Sequence, residues 1–132
     1  MPMLYTVYKM LDPRTMQVRY IGMTSQPIMA RLWDHCTVPQ RGHSDAMDVW
    51  LLELKAIPMR PSMVAIIAVE NGSTATVLER GMIYFYRTVL KANLFNKIEY
   101  PGAKVHYAFN YLHPGTEAEA LAALLDVKGF VT

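Results

Sequence analysis

Two β-rich runs, residues 4–11 (LYTVYKML) and 16–23 (MQVRYIGM), stand on either side of Asp12-Pro13-Arg14-Thr15. Asp and Pro set up turns by local hydrogen bonding and by a fixed φ, so this arrangement predicts an antiparallel hairpin at the start of the chain. The register decides which side chains share a face, because strand side chains alternate. A strict four-residue loop pairs Leu11 with Met16 and sets Tyr8 against Arg19. An odd loop, or one β-bulge, sets Tyr8 against Tyr20 instead. Aromatic residues favour strands in any case, so Tyr5, Tyr8 and Tyr20 taken singly do not mark a site.

The rest of the chain supplies elements to cover that hairpin. A helix is predicted from Pro27 to Cys36, with Pro suited to a first turn. After a loop at 37–43, Ser44 is placed to cap a second helix running to about Ala56, ahead of Pro58. Met63 to Val69 (MVAIIAV) is a continuous apolar run, expected to form a strand buried on both faces. Asn71-Gly72-Ser73 breaks it, and a long helix is expected from about Ala75 to Ala92. Residues 97–115 read as irregular, with turns at Pro101-Gly102 and Pro114-Gly115. A last helix starts at Thr116, where Thr116 and Glu119 form a capping box, and stops at Gly129. The order ββααβαα predicts an α+β fold with a small antiparallel or mixed three-stranded sheet flanked by helices.

Composition bounds the function loosely. The chain has 132 residues, 52% of them apolar and 18% charged, which suits one ordered domain. The lone Cys36 can form no internal disulfide, and the N-terminus lacks a basic region followed by an apolar one, so a cytoplasmic protein is expected. The longest uncharged apolar stretch, Ser62 to Val69, is too short to cross a membrane, and no membrane partner is expected. The ten methionines are scattered and read as adaptable core filler. Net charge is only +2, but it is unevenly spread: residues 1–104 hold twelve Lys/Arg and eight Asp/Glu, and residues 105–132 hold one Lys and three acids. A mild positive excess of this kind is compatible with weak, salt-sensitive binding to nucleic acid.

Within the predicted helices, three residues stand out. Arg31 and His35 are four apart and share a helix face. An Arg in a cleft offers a fork of donors matched to phosphate oxygens, whereas on a surface it pairs with Asp34. In the long helix Glu79 falls within the apolar stripe of Ala75, Met82, Ile83, Tyr86 and Leu90, so it requires a cation, a metal, a water-filled cleft or a base such as Arg31. A zinc site built from His35, Cys36 and His43 is a weaker alternative, because the chain has no CxxC or HxxxH spacing. His106 and His113 flank the aromatic stretch Tyr107, Phe109 and Tyr111, which either stacks on bases or packs the last helix.

Taken in order, these residues resemble the GIY-YIG nuclease superfamily over about residues 3–98. Thr6-Val7-Tyr8 looks like a variant of the family's first triplet, and Tyr20-Ile21-Gly22 matches the second, followed by Thr24. Arg31 is similar to the family's catalytic arginine, with His35 where such enzymes carry His or Tyr. Glu79 is similar in placement to the metal-binding glutamate, and Asn96 to a late asparagine. Two positions depart from the pattern: Thr6 replaces a Gly, and Met23 stands where some members have a Lys that lowers a tyrosine pKa, a task that leaves His35 or Lys9 as substitutes.

The resemblance implies a nuclease core at 1–98, with 99–132 as an extension whose terminal helix packs on it. It implies a metal-dependent endonuclease that hydrolyses DNA phosphodiester bonds with Mg²⁺ or Mn²⁺ held by Glu79. Tyr8 or Tyr20 would be the base, and Arg31, His35 and Asn96 would complete the site. Lys9, Arg19, Thr24 and Arg41 are the expected nucleic-acid contacts. A homodimer or a targeting partner would supply specificity, with Thr37, Gln40, Arg41 and His43 as loop contacts. The competing expectation is a catalytically inactive module of the same type that binds nucleic acid or protein.

Overall fold

The computed structural model describes residues 3–37 and 43–126. The hairpin forms as β1 (Tyr5–Leu11) and β2 (Val18–Thr24). Its turn is longer than four residues: Asp12 N–H bonds the Gln17 carbonyl at 2.9 Å, Met16 adopts a left-handed φ of 60°, and Leu11 pairs with Val18. Asp12 holds this turn from within. Its buried carboxylate accepts hydrogen bonds from Arg14 Nε (3.0 Å), Arg14 Nη2 (2.8 Å) and Trp50 Nε1 (2.9 Å). The Arg14 hydrogen bonds outweigh burial and hold this carboxyl well below the usual range. A register shift between Met10 and Leu11 then sets Tyr8 opposite Gly22 and Met10 opposite Tyr20. Tyr8 and Tyr20 therefore share a face but lie diagonally, an outcome that neither loop length considered from the sequence describes.

Two helices follow the hairpin, α1 (Ile28–His35) and α2 (Asp45–Ala56). Ser44 caps α2 as its position predicts, its Oγ accepting from Met47 N–H at 3.2 Å. β3 (Ser62–Val69) pairs antiparallel with β1 alone, so the sheet order is β2-β1-β3. This corrects the expectation of a doubly buried strand. β3 is an edge strand with Val64, Ala65 and Ala68 exposed, while β1 occupies the centre.

α3 (Gly72–Thr88) starts earlier and stops earlier than predicted. The Asn71 side chain caps it by accepting from Ser73 N–H at 2.8 Å and Thr74 N–H at 3.1 Å, so Gly72 and Ser73 lie inside the helix rather than in a break. α4 (Ala103–Leu112) occupies the stretch expected to be irregular. The two Pro-Gly pairs bracket it, Val105, Ala108 and Phe109 are buried, and His113 ends it in a left-handed conformation. α5 (Glu117–Asp126) has the predicted Thr116 cap, Glu119 N–H bonding Thr116 Oγ1 at 3.2 Å. The Glu119 carboxylate reaches back to Gly115 N–H at 3.3 Å and Thr116 Oγ1 at 3.0 Å rather than to the Thr116 N–H of a full capping box. The predicted stop at Gly129 lies outside the described residues. The element order among the described residues is thus ββααβααα.

Each sheet face has its own apolar cluster. On one, Tyr8 and Met10 pack with Leu32 of α1 and with Met47, Trp50, Leu51 and Leu54 of α2. On the other, Val7 and Ile21 pack with α3, α4 and α5. Gly81 brings α5 close: a Cβ there would meet Leu124 Cδ1 at 2.5 Å. No helix among the described residues is long and apolar enough to cross a membrane.

Candidate active site

Strand alternation turns Tyr8 of β1 and Tyr20 of β2 toward α1, with ring centroids 6.4 Å apart. Gly22, opposite Tyr8, is required for this packing. A Cβ at that position would collide with the Tyr8 phenol and come within 2.9 Å of the Tyr20 ring. The glycine of the second triplet is thus a seat for the tyrosine of the first.

Helical spacing puts Arg31 and His35 on the face of α1 that looks back at the hairpin. His35 is fully buried, and its Nε2 lies 2.6 Å from the Tyr8 hydroxyl. Its ring also meets Tyr20 edge-on at 5.4 Å. His35 Nδ1 lies 2.8 Å from His43 Nε2, and His43 Nδ1 lies 2.8 Å from Asp48 Oδ1. Four side chains from β1, α1, the approach to α2 and α2 itself are therefore joined end to end. The zinc alternative does not fit this arrangement, because both ring nitrogens of His35 are already engaged.

The electrostatics of this cluster are set mainly by burial. Loss of water pushes the Tyr8 phenol up. The nearby Tyr20 and Glu79 add to the rise, while the charge and hydrogen bonding of Arg31 oppose it. Tyr20 is raised by burial and by Glu79, again against Arg31. His35 is pushed down to about 3 by burial, then by the positive charge of Arg31 and by His43, so it is neutral at physiological pH. The Arg31 guanidinium is a quarter exposed and lies 3.9 Å from Asp34, which leaves it partly open to solvent at the rim.

Glu79 of α3 approaches past the edge of β2. With Tyr20, Asn96, Phe95 and Ser44 it lines a cleft of about 180 Å³. Burial raises its carboxyl, Arg80 partly offsets this and Glu99 reinforces it. Among the described residues no hydrogen bond or ion pair engages its carboxylate, so of the alternatives weighed for Glu79 the salt bridge to Arg31 is not the one formed. Asn96 pins the free edge of β2: its Oδ1 accepts from Ile21 N–H at 2.9 Å and its Nδ2 donates to the Ile21 carbonyl at 2.7 Å. The described residues contain no group of three or more His, Cys, Asp or Glu arranged to hold a metal. Mg²⁺ does not need one, since it keeps most of its water and takes one or two carboxylates plus substrate oxygens. A half-buried, unpartnered Glu79 facing a polar cleft fits such an ion.

Three of the expected nucleic-acid contacts are placed elsewhere. Lys9, next to Tyr8 in sequence, points to the opposite sheet face. It bonds Glu117 of α5 at 2.6 Å and the Tyr86 hydroxyl at 3.2 Å, so it neither meets the site nor lowers a tyrosine there. Arg19 is held by the Asn93 carbonyl at 2.8 Å and lies 4.1 Å over the Phe95 ring. Thr24 is buried, and its Oγ1 accepts from Gln26 N–H at 3.0 Å to form the turn into α1. Arg41 lies outside the described residues, as does Gln40.

His43 and Asp48 are the site residues that sequence reasoning missed. In the sequence His43 stands only as a zinc-ligand alternative and a loop contact, and nothing marks Asp48. Their spacing of five residues across a helix cap matches no chemical motif. Only the docking of α2 against α1 brings them to His35. Comparison with family models, with curated proteins and with solved structures gives no match, so the site stands on its own geometry.

Proposed function

We propose that this chain is a metal-dependent endonuclease that hydrolyses DNA phosphodiester bonds in the manner of the GIY-YIG superfamily it resembles. The observation that carries the proposal is the 2.6 Å contact between Tyr8 and His35 within the field of Arg31, with Tyr20, which meets both rings, lining the cleft that also holds Glu79. A hairpin, a helix bearing Arg31 and a later helix bearing Glu79 support the same assignment.

In this mechanism Tyr8 takes the proton of the attacking water, and its own proton has an acceptor within reach in His35 Nε2, 2.6 Å away. Arg31 neutralises charge building on the phosphate oxygens. Glu79 would hold a divalent ion, Mg²⁺ or Mn²⁺, which supplies Lewis-acid stabilisation of the developing charge. Asn96 keeps β2, and with it Tyr20 and Gly22, in place. A single site of this kind cuts one strand, so double-strand cleavage would call for a second copy of the chain. A cytoplasmic location accords with this function.

The test is a supercoiled plasmid incubated with the protein and Mg²⁺ or Mn²⁺. Nicked or linear product is expected from the wild type. Arg31→Ala and Glu79→Ala should each lower the rate by about 10²-fold or more with the melting temperature nearly unchanged. Cleavage that persists in both variants would refute the assignment. One observation favours the alternative of an inactive binding module: Tyr8 is raised by burial, and no lysine among the described residues contributes to its shift. That reading expects intact plasmid at every pH and metal concentration, together with retarded migration of the DNA.

A further inference from the structure

The path leading away from the site begins with Tyr8 and ends on a carboxylate, and the direction of its hydrogen bonds can be deduced. Asp48 can only accept, so His43 must carry a proton on Nδ1 to bond it at 2.8 Å. A neutral His43 then has a bare Nε2, which accepts from His35 Nδ1–H at 2.8 Å. His35 is left with a bare Nε2, and the Tyr8 hydroxyl donates to it at 2.6 Å. Every link is a donor facing an acceptor, and all three point from Tyr8 toward Asp48. With His43 neutral, reversing the chain would turn a bare His43 nitrogen toward the carboxylate; only an imidazolium at His43 would allow the opposite direction. The path is also dry: His35 is fully buried and the His43 side chain is 2% exposed.

We propose that His43 and Asp48 form, through His35, a proton relay that carries the Tyr8 proton away during phosphodiester hydrolysis. The proposal rests on the endonuclease reading and names residues that it did not include. In the reacting step the water oxygen forms a bond to phosphorus and gives its proton to the Tyr8 oxygen. The Tyr8 proton passes to His35 Nε2, and the His35 Nδ1 proton passes to His43 Nε2. The bond from phosphorus to the leaving oxygen breaks, and that oxygen takes a proton from solvent. His43 is then an imidazolium against the Asp48 carboxylate. His43 then gives one proton to solvent, and His35, left with its proton on Nε2, must turn over to the Nδ1–H tautomer to restore the starting chain; atoms and charge then balance over the cycle.

Physical chemistry gives a reason for the length of the relay. A proton halted on His35 would leave a positive charge in a dry pocket already in the field of Arg31. Passed on to His43, the charge rests beside a carboxylate that is 17% exposed. Other charged or titratable groups facing the path are Tyr20 from β2, Arg31 from α1 and Glu79 from α3. None of these lies at the far end, where the charge comes to rest. His43 and Asp48 thus act on the reaction through His35 and touch no substrate.

Asp48→Asn tests the proposal, because it keeps an oxygen acceptor and removes the charge. In the plasmid assay it should lower kcat at neutral pH by about 10²-fold with KM unchanged. Its rate should also climb steadily as pH rises, as Tyr8 begins to lose its proton directly. His43→Gln should behave alike. A parallel measurement on the whole wild-type protein, ¹⁵N chemical shifts of the imidazole nitrogens, should find both His35 and His43 as Nδ1–H tautomers. Wild-type cleavage with an unaltered pH profile in Asp48→Asn would overturn the relay and leave the endonuclease standing. Either histidine found as the Nε2–H tautomer would overturn it regardless of activity. Absence of cleavage by the wild type would overturn the endonuclease reading, and with it the relay.

Discussion

Tyr8 and Lys9 are neighbours in β1, yet they enter opposite halves of the molecule, and both carry a polar group below the surface. The two halves satisfy that group differently. On the Lys9 side, the ammonium, the Tyr86 hydroxyl and one oxygen of the Glu117 carboxylate close on one another in a triad. On the Tyr8 side, the hydroxyl opens a chain of donors and acceptors running through two histidines, near a glutamate whose carboxylate no hydrogen bond or ion pair engages among the described residues. A closed ion pair ties α5 to the sheet. An open chain of neutral groups can move a proton. Burial of polar atoms is therefore a poor guide to function, and the direction and completeness of their hydrogen bonding is a better one.

Paired glycine substitutions test this contrast most sharply. Gly22→Ala should force the Tyr8 phenol off its seat and break its bond to His35, lowering nicking by about 10²-fold and stability by about 1–3 kcal/mol. Plasmid cleavage and thermal unfolding measure the two effects; full activity in a folded variant would show that the close seating of Tyr8 is not needed. Gly81→Ala on the opposite half should displace Leu124, at a cost of about 1–3 kcal/mol, from which a helix-propensity gain of about 1 kcal/mol is subtracted. Denaturant unfolding should register a small loss, with nicking unaltered.

The smallest effect belongs to the closed ion pair. Glu117 sits below its usual range: burial opposes the shift, but hydrogen bonds from Lys9 and Tyr86 outweigh it. Its contribution is thus present above the usual carboxyl range and is lost as pH falls through the depressed folded value. Lys9 is raised: burial pulls it down, but its bonds to Glu117 and Tyr86 outweigh that, so its share is present below the ordinary lysine range and fades at higher pH. Glu117→Gln should therefore cost about 1 kcal/mol or less at neutral pH. The gap to wild type should close in acid, as urea titrations across pH would reveal. A loss of nicking in this variant would contradict the separation of the two halves.

Legibility in the sequence followed the range of the interactions concerned. The hairpin, the Ser44 cap and the Thr116 cap depend on residues within a few positions of one another, and each lies where those residues put it. α4 was legible in principle, since Val105, Ala108 and Phe109 have helical spacing, but the Pro-Gly pairs at its ends masked a ten-residue helix as loop. The start of α3 was missed because Asn71-Gly72-Ser73 has turn composition, whereas here Asn71 serves as a cap. The β3 error has another origin: an apolar run reports a preference for burial, and strand order decides whether it is met. β1 took the centre because β2 and β3 both pair with it.

The sequence by itself determined the hairpin, the caps of α2 and α5 and most of the helices and strands, and its resemblance singled out Tyr8, Tyr20, Arg31, His35, Glu79 and Asn96 as a set. Local backbone sterics and short-range hydrogen bonds suffice for the elements, not for the set. Tertiary structure alone decided that Tyr8 lies diagonal to Tyr20 over Gly22, that Lys9 turns away, and that His43 and Asp48 complete a path from the phenol. Those outcomes depend on strand register and helix docking. A single-residue change in register reverses a face, and a contact across 27 residues, such as Tyr8 to His35, leaves no periodic trace in the chain.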